Sequence, residues 1–102
     1  MTVAVTPVPG LTSVVTNGGT PVEVIPGAPN GGFITNPISA TDQGLGAPEN
    51  LYVDPVNPAG LVGNGTTFVL YPGASWPIIP GQTSITSVNA ASNGHKFSVV
   101  WF

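Results

Sequence analysis

Turn signals recur so often along this chain that a helix of ordinary length has almost nowhere to form. Pro-Gly steps fall at 9–10, 26–27, 72–73 and 80–81, and Asn-Gly steps at 17–18, 30–31, 64–65 and 93–94. Proline presets φ for the first central position of a type II turn and glycine accepts the positive φ of the second, while Asn-Gly suits the tight I′ hairpin turn. With 14 glycines and 12 prolines among 102 residues, few stretches of ten escape both, and each destabilises a helix interior. Short strands or disorder are what remain.

Apolar content decides between them. The chain is 41% hydrophobic with a positive mean hydropathy, so it carries the aliphatic and aromatic surface that disordered segments lack. Elastin-like repeats also contain Val-Pro-Gly, but the Pro-Gly steps here are 17, 46 and 8 residues apart, which is the irregular spacing of loops in a globular fold. The length allows one hydrophobic core, hence a single domain over 1–102, with residues 1–11 as a candidate N-terminal arm.

Between the turns lie short segments rich in Val, Ile, Thr and aromatics, the composition that fits a half-buried pleated surface. Strands are predicted at 2–6, 12–16, 21–25, 32–39, 50–54, 66–71, 75–79, 83–88 and 95–102. Alternation is clearest in the last, where Phe97, Val99 and Trp101 share one face and Lys96, Ser98, Val100 and Phe102 the other. Leu51 with Val53, Phe68 with Leu70, and Val22 with Val24 make similar dry pairs. Eight or nine short strands joined by tight turns predict an all-β domain, a small β-sandwich or jelly roll. Pro21, Pro37 and Pro77 cannot donate to a ladder, so their segments are expected at edges or bends. The hexapeptides PGLTSV at 9–14 and PGQTSI at 80–85 look alike, too briefly to establish a duplication.

Charge restricts the partners. Lys96 is the single basic residue, and Glu23, Asp42, Glu49 and Asp54 are the only acids. Nucleic-acid binding draws most of its affinity from basic groups neutralising phosphates, which one lysine cannot supply, and anionic membrane surfaces are disfavoured by the same reasoning. A surface protected by Ser, Thr, Asn and Gln in place of interspersed charges is poorly guarded against association, so an assembly subunit is expected. There is no cysteine to form a disulfide. The first ten residues lack a basic stretch followed by a continuous apolar run, so no secretory signal is expected and synthesis is placed in the cytoplasm. No apolar run approaches the length of a membrane helix.

The residues that carry chemistry are scarce. His95 is the only histidine, and its setting, NGHKF, reads as a turn entering the last strand, which favours a structural or solvated ring over a catalytic one. Asp42 in SATDQG and Asp54 in YVDPV fit the role of turn formers, in which Asp accepts from backbone amides two residues on. The acids are too dispersed for a calcium loop, no His pair exists for zinc, and no phosphate-binding glycine loop is present. No catalytic group, cofactor or metal is expected. Asn64-Gly65-Thr66 forms a glycosylation sequon that is read as a turn.

Contact residues are the remaining candidates. Tyr52, Tyr71, Trp76 and Trp101 are more readily core or interface residues than sugar platforms in a domain of this size. The segment YPGASWPIIPG sets an apolar Trp-Pro-Ile-Ile stretch between two Pro-Gly turns, so a hairpin arm from Tyr71 to Pro80 is expected to project onto a neighbour. With the N-terminal segment from Thr2 to Leu11, this nominates Tyr71, Trp76, Ile78, Ile79, Val3, Val5 and Phe102 as interface residues.

Four stretches, NPISATDQG at 36–44, LYVDPV at 51–56, NGTTFVLYPG at 64–73 and VNAASNGHKFSVVW at 88–101, occur in that order. Through them positions 31–102 resemble a group of small proteins encoded among the structural genes of tailed bacteriophages and prophages. The resemblance implies a capsid decoration or cement protein: a β-sandwich, without catalytic residues, bound as a homotrimer to the major capsid protein on the outside of the virion shell. Alternatives are a carbohydrate- or receptor-binding module and a tail or connector component.

Overall fold

The computed structural model describes residues 8–15, 18–24, 30–61, 65–82 and 86–102, with the backbone alone for 8–14. Eight strands follow one another: β1 (Val8–Val15), β2 (Val22–Val24), β3 (Gly32–Thr35), β4 (Leu51–Asp54), β5 (Phe68–Leu70), β6 (Ser75–Ile78), β7 (Thr86–Asn89) and β8 (His95–Trp101). They form two antiparallel four-stranded sheets, β1-β8-β3-β6 and β2-β7-β4-β5. The pairings β1 with β8, β2 with β7, β3 with β6 and β4 with β5 make the first half of the chain run back along the second as one ribbon. Wrapping that ribbon adds the β3–β8 and β4–β7 ladders. This is the strand order of an eight-stranded jelly roll.

Period-2 alternation builds the core. Ile34, Ile78, Phe97 and Val99 of the first sheet meet Leu51, Val53, Leu70 and Val88 of the second, all buried. Each such side chain contributes about 1.5–3 kcal/mol relative to an exposed one. Phe97 and Val99 point inward as the alternation predicts, and Trp101 on the same face is half-buried against the core. Prolines sit where a missing donor does least harm: Pro77 lies in the edge strand β6, Pro21 just before the edge strand β2, and Pro37 in the bend after β3.

Several turn expectations are corrected. Pro9-Gly10 is not a turn but the irregularity inside β1, where three steps from Val8 to Leu11 face two from Trp101 to Val99; the extra residue is a β-bulge. Residues 8–11 therefore belong to the sheet and not to an arm. The strand predicted at 2–6 lies outside the described residues. At 93–94 glycine alone takes a positive φ, as Gly94 does at 73°, and no described non-glycine residue does, so the turn is not of type I′, which needs both central residues there. The strand predicted over 32–39 stops at Thr35 and gives way to a short helix, α1 (Ala40–Gln43). Ser39 caps it by accepting from the Asp42 amide, and Gly44, at φ 74°, closes it in the left-handed region.

Gly32 marks the tightest approach between strands. It pairs with both Ile78 and Trp101, and a Cβ there would lie 2.6 Å from the Trp101 Cα and closer still to the Val100 carbonyl oxygen. Gly32→Ala is expected to push β8 away from β3 and lower stability by about 1–3 kcal/mol, the cost typical of overpacking, measured by denaturant unfolding.

The two outer faces differ. Over the second sheet, the segment after β4 folds back and covers β7, whose four residues are all buried. Ala59, itself buried, donates its amide to Ser87 Oγ at 2.9 Å and accepts from Asn89 Nδ2 at 2.8 Å. Over the first sheet, α1 and Gly44 lie against Lys96 at the start of β8, while Phe33 and Pro77 stay exposed.

Candidate functional site

The open face of the first sheet is built by register. Phe33 stands opposite Pro77 on β6 and Val100 on β8, forming an apolar rung across three strands. The next rung is Thr35 between Ser75 and Ser98, with Thr35 Oγ1 2.8 Å from Ser75 Oγ. Lys96 follows on β8, its stem against Gly44. Phe33 is 46% exposed, unusual for a phenylalanine in the middle of a sheet. A shallow groove of about 300 Å³ at the polar end is lined by Thr35, Pro37, Asp42, Lys96, Phe97 and Ser98. A larger open groove, about 680 Å³, borders β2 and the covering segment and holds one carboxylate, Glu23.

Apolar side chains also crowd both ends of β6. At one end Tyr71 is 63% exposed, and Ile38, 73% exposed, lies over Gly73 of the same turn. At the other, Ile79 is 68% exposed and Phe102 is exposed beside Gly31, whose carbonyl accepts from the Phe102 amide at 2.9 Å. Thus Ile79 and Phe102 flank the start of β3 from its two sides at the same end of the sheet, whereas Tyr71 stands a strand's length away. Trp76 is half-buried and tilted against Phe68, ring centroids 4.8 Å apart, which closes the seam between the edge strands β5 and β6. Ile78 is corrected from contact residue to core residue, because the pleat turns it inward between exposed Pro77 and Ile79. The stretch 71–80 is no projecting arm; it contains an edge strand paired along its length with β3. Val3 and Val5 lie outside the described residues. Phe33 and Val100 were not singled out from sequence, since Phe33-Ile34 and Val99-Val100 are apolar neighbours whose facing depends on which partner strand sets the pleat.

Two buried polar clusters brace the connections between the strands. The first centres on Asp54, buried at the end of β4. Its Oδ1 accepts from the amides of Val56 at 2.9 Å and Asn57 at 2.8 Å, and its Oδ2 from the hydroxyls of Thr66 and Thr67, both at 2.8 Å. Burial pushes this carboxyl up, but the Asn57 and Val56 amides and the two threonines outweigh it and hold it at about 2. The turn role expected of Asp54 is what the geometry shows. Asp42 instead lies exposed in α1, and the bond to a nearby amide is made by Ser39.

The second cluster joins α1 to the start of β8. Asn36 Nδ2 donates to the carbonyls of Glu49 at 3.0 Å and Leu70 at 2.9 Å, so its Oδ1 is fixed as the acceptor. That oxygen receives Gln43 Nε2 at 3.0 Å and stands 2.8 Å from His95 Nε2, which must therefore carry the imidazole proton. Gln43 also donates to the Pro37 and Glu49 carbonyls and accepts the Glu49 amide at 2.9 Å. Ser92 donates to the Glu49 carboxylate at 2.8 Å. His95 is fully buried, and its Nδ1 is left without a hydrogen-bond partner. Burial lowers its affinity for a proton and the Glu49 carboxylate partly restores it; the net shift is downward, so the ring is neutral at pH 7.

Among the described residues no three of His, Cys, Asp and Glu gather as metal ligands would. Comparison with protein-family models, with curated proteins and with solved structures finds no match for this chain. Its surface and its fold are what bear on its role.

Proposed function

We propose that this protein is a non-enzymatic structural subunit of a bacteriophage virion, of the capsid decoration type, binding as a trimer to the major capsid protein on the outside of the shell. The observation that carries the reading is the contrast between the two sheets among the described residues: one outer face covered by the segment after β4, the other presenting an exposed apolar rung and a hydroxyl-lined rung, with Lys96 and Asp42 as the charges beside them. Burying such a face removes few charges from water, so association incurs little desolvation. The resemblance of positions 31–102 to small phage structural proteins points the same way. So does the jelly-roll architecture, which serves in viral capsids, although lectins share it and a fold alone assigns no function. A subunit that binds the assembled shell and not its free parts stabilises the shell by mass action, without chemistry.

Phe33→Ser and Tyr71→Ser test the reading. Both residues are exposed in the single chain, so the melting temperature is expected to stay within about a degree or two, as for surface substitutions generally. Co-sedimentation with phage shells lacking the protein is expected to weaken by about 30-fold for an anchor worth 2 kcal/mol. Shells that ignore the wild-type protein refute the proposal. The sugar-binding alternative has less to work with: Tyr52, Trp76 and Trp101 are half-buried, leaving Tyr71 as the exposed ring among the four candidates. Saturable binding on a glycan array would favour it.

A further inference from the structure

We propose that Asn36, Gln43, Glu49, Ser92 and His95 form an acid-labile clasp that fastens the α1 segment to the start of β8, closed while His95 is neutral and opened when its Nδ1 takes up a proton. Nε2 already bears a hydrogen, given to Asn36 Oδ1, so Nδ1 is the only site where a proton can add. That atom is buried and faces no acceptor, so a cation formed there gains no hydrogen bond in the closed arrangement. The Glu49 carboxylate is the charge that acts on the ring, and it is engaged by Ser92 Oγ. The other charged groups on the adjoining elements are Asp42, exposed on α1, and Lys96, on the opposite face of β8. By sequence, β1 contributes no titratable residue beside the Val15 that pairs with His95.

Only segmental opening satisfies a buried imidazolium. Water then reaches the ring, and Glu49 can leave Ser92 for it. Because Asn36 Oδ1 and Gln43 are bonded through the same knot, release at His95 loosens the Glu49 amide, whose partner is Gln43 Oε1. The folded ring binds a proton less readily than the ordinary value of 6.5, so the open form takes up more protons below that value. The clasp is therefore intact above pH 6.5 and weakens as pH falls toward the lower value of the closed state.

Residue-resolved amide exchange on the full chain, expressed as protection factors at pH 7.5 and 5.0, tests this. Protection at the Glu49 amide is expected to fall, by at most about 30-fold, the ceiling set by an imidazole that titrates normally in the open form. Val99, in the middle of β8, is expected to keep its protection. His95→Gln, which offers a comparable donor to Asn36 but cannot titrate, is expected to abolish the loss at Glu49. Nitrogen shifts of the wild-type imidazole supply a readout independent of the variant: they are expected to report the Nε2-protonated neutral ring at pH 7.5 and a titration midpoint below 6.5. Unchanged protection at Glu49, parallel loss at Glu49 and Val99, an equal acid response in the variant, or a ring that titrates at or above 6.5 would each overturn the clasp.

Discussion

Asp54→Ala is expected to cost about 3–5 kcal/mol, because four donors lose one acceptor at once and hydrogen bonds to a charged group are the stronger kind. The two threonine hydroxyls can turn elsewhere, but the amides of Val56 and Asn57 are fixed by the backbone. Their loss frees the start of the segment that covers β7, exposing Ser87 and Asn89 beneath it. Against a typical total of 5–15 kcal/mol for a domain, this is a large fraction. Asp54→Asn is expected to cost less, since an amide oxygen still accepts the two N–H groups while its nitrogen donates to hydroxyls. Denaturant unfolding of both variants measures the difference. Acid supplies a third reading. The folded carboxyl sits at about 2 and the ordinary value is 3.8, so the folded state binds fewer protons in between. The contribution is complete above pH 3.8 and disappears as pH falls through about 2, well below the window in which His95 acts.

Asn36→Ala is the second large effect, expected at about 3–4 kcal/mol. The substitution leaves a small cavity, an unpaired His95 Nε2–H and a Leu70 carbonyl without its side-chain donor. Asn36→Asp is the informative comparison. A carboxylate satisfies His95 and Gln43 but faces the Glu49 and Leu70 carbonyls, acceptor against acceptor. It is therefore expected to destabilise the protein at pH 7 while raising the affinity of His95 for a proton. Thermal unfolding across pH, with imidazole titration followed by NMR, separates the two effects.

Much of the fold can be read along the chain because local pattern and global pairing agree. The 95–102 segment alternates cleanly, and β8 places Phe97 and Val99 inside as alternation requires. Leu51 and Val53 are both buried, and Glu23 is exposed between its valines. Pleat phase was legible only where polar residues mark it. Trp76, Pro77, Ile78 and Ile79 carry no polar marker, so the sequence nominates all but the proline as contact residues, although the pleat sends Ile78 into the core. The helix over 40–43 is visible in retrospect as Ser39 and Gly44 bracketing one turn. The Asp54 turn is legible in YVDPV, but the cluster around His95 leaves no local trace, because Asn36, Gln43, Glu49 and His95 meet only through tertiary pairing. Six of the buried polar residues, Asn36, Gln43, Asp54, Thr67, Asn89 and His95, fall within the four stretches that carry the phage resemblance. What those stretches encode most directly is the internal bracing, while Phe33 of the exposed rung lies outside them.

The ribbon-like pairing has a kinetic consequence. Among the described strands, every one before residue 55 finds its ladder partner after residue 67, and β4 with β5 is their single pairing of consecutive strands. Closure must bring together residues as distant as Val8 and Trp101, so loop entropy is spent before contacts repay it. Such a chain collapses late and as a unit, and fragments severed between β4 and β5 are expected to acquire structure only when mixed.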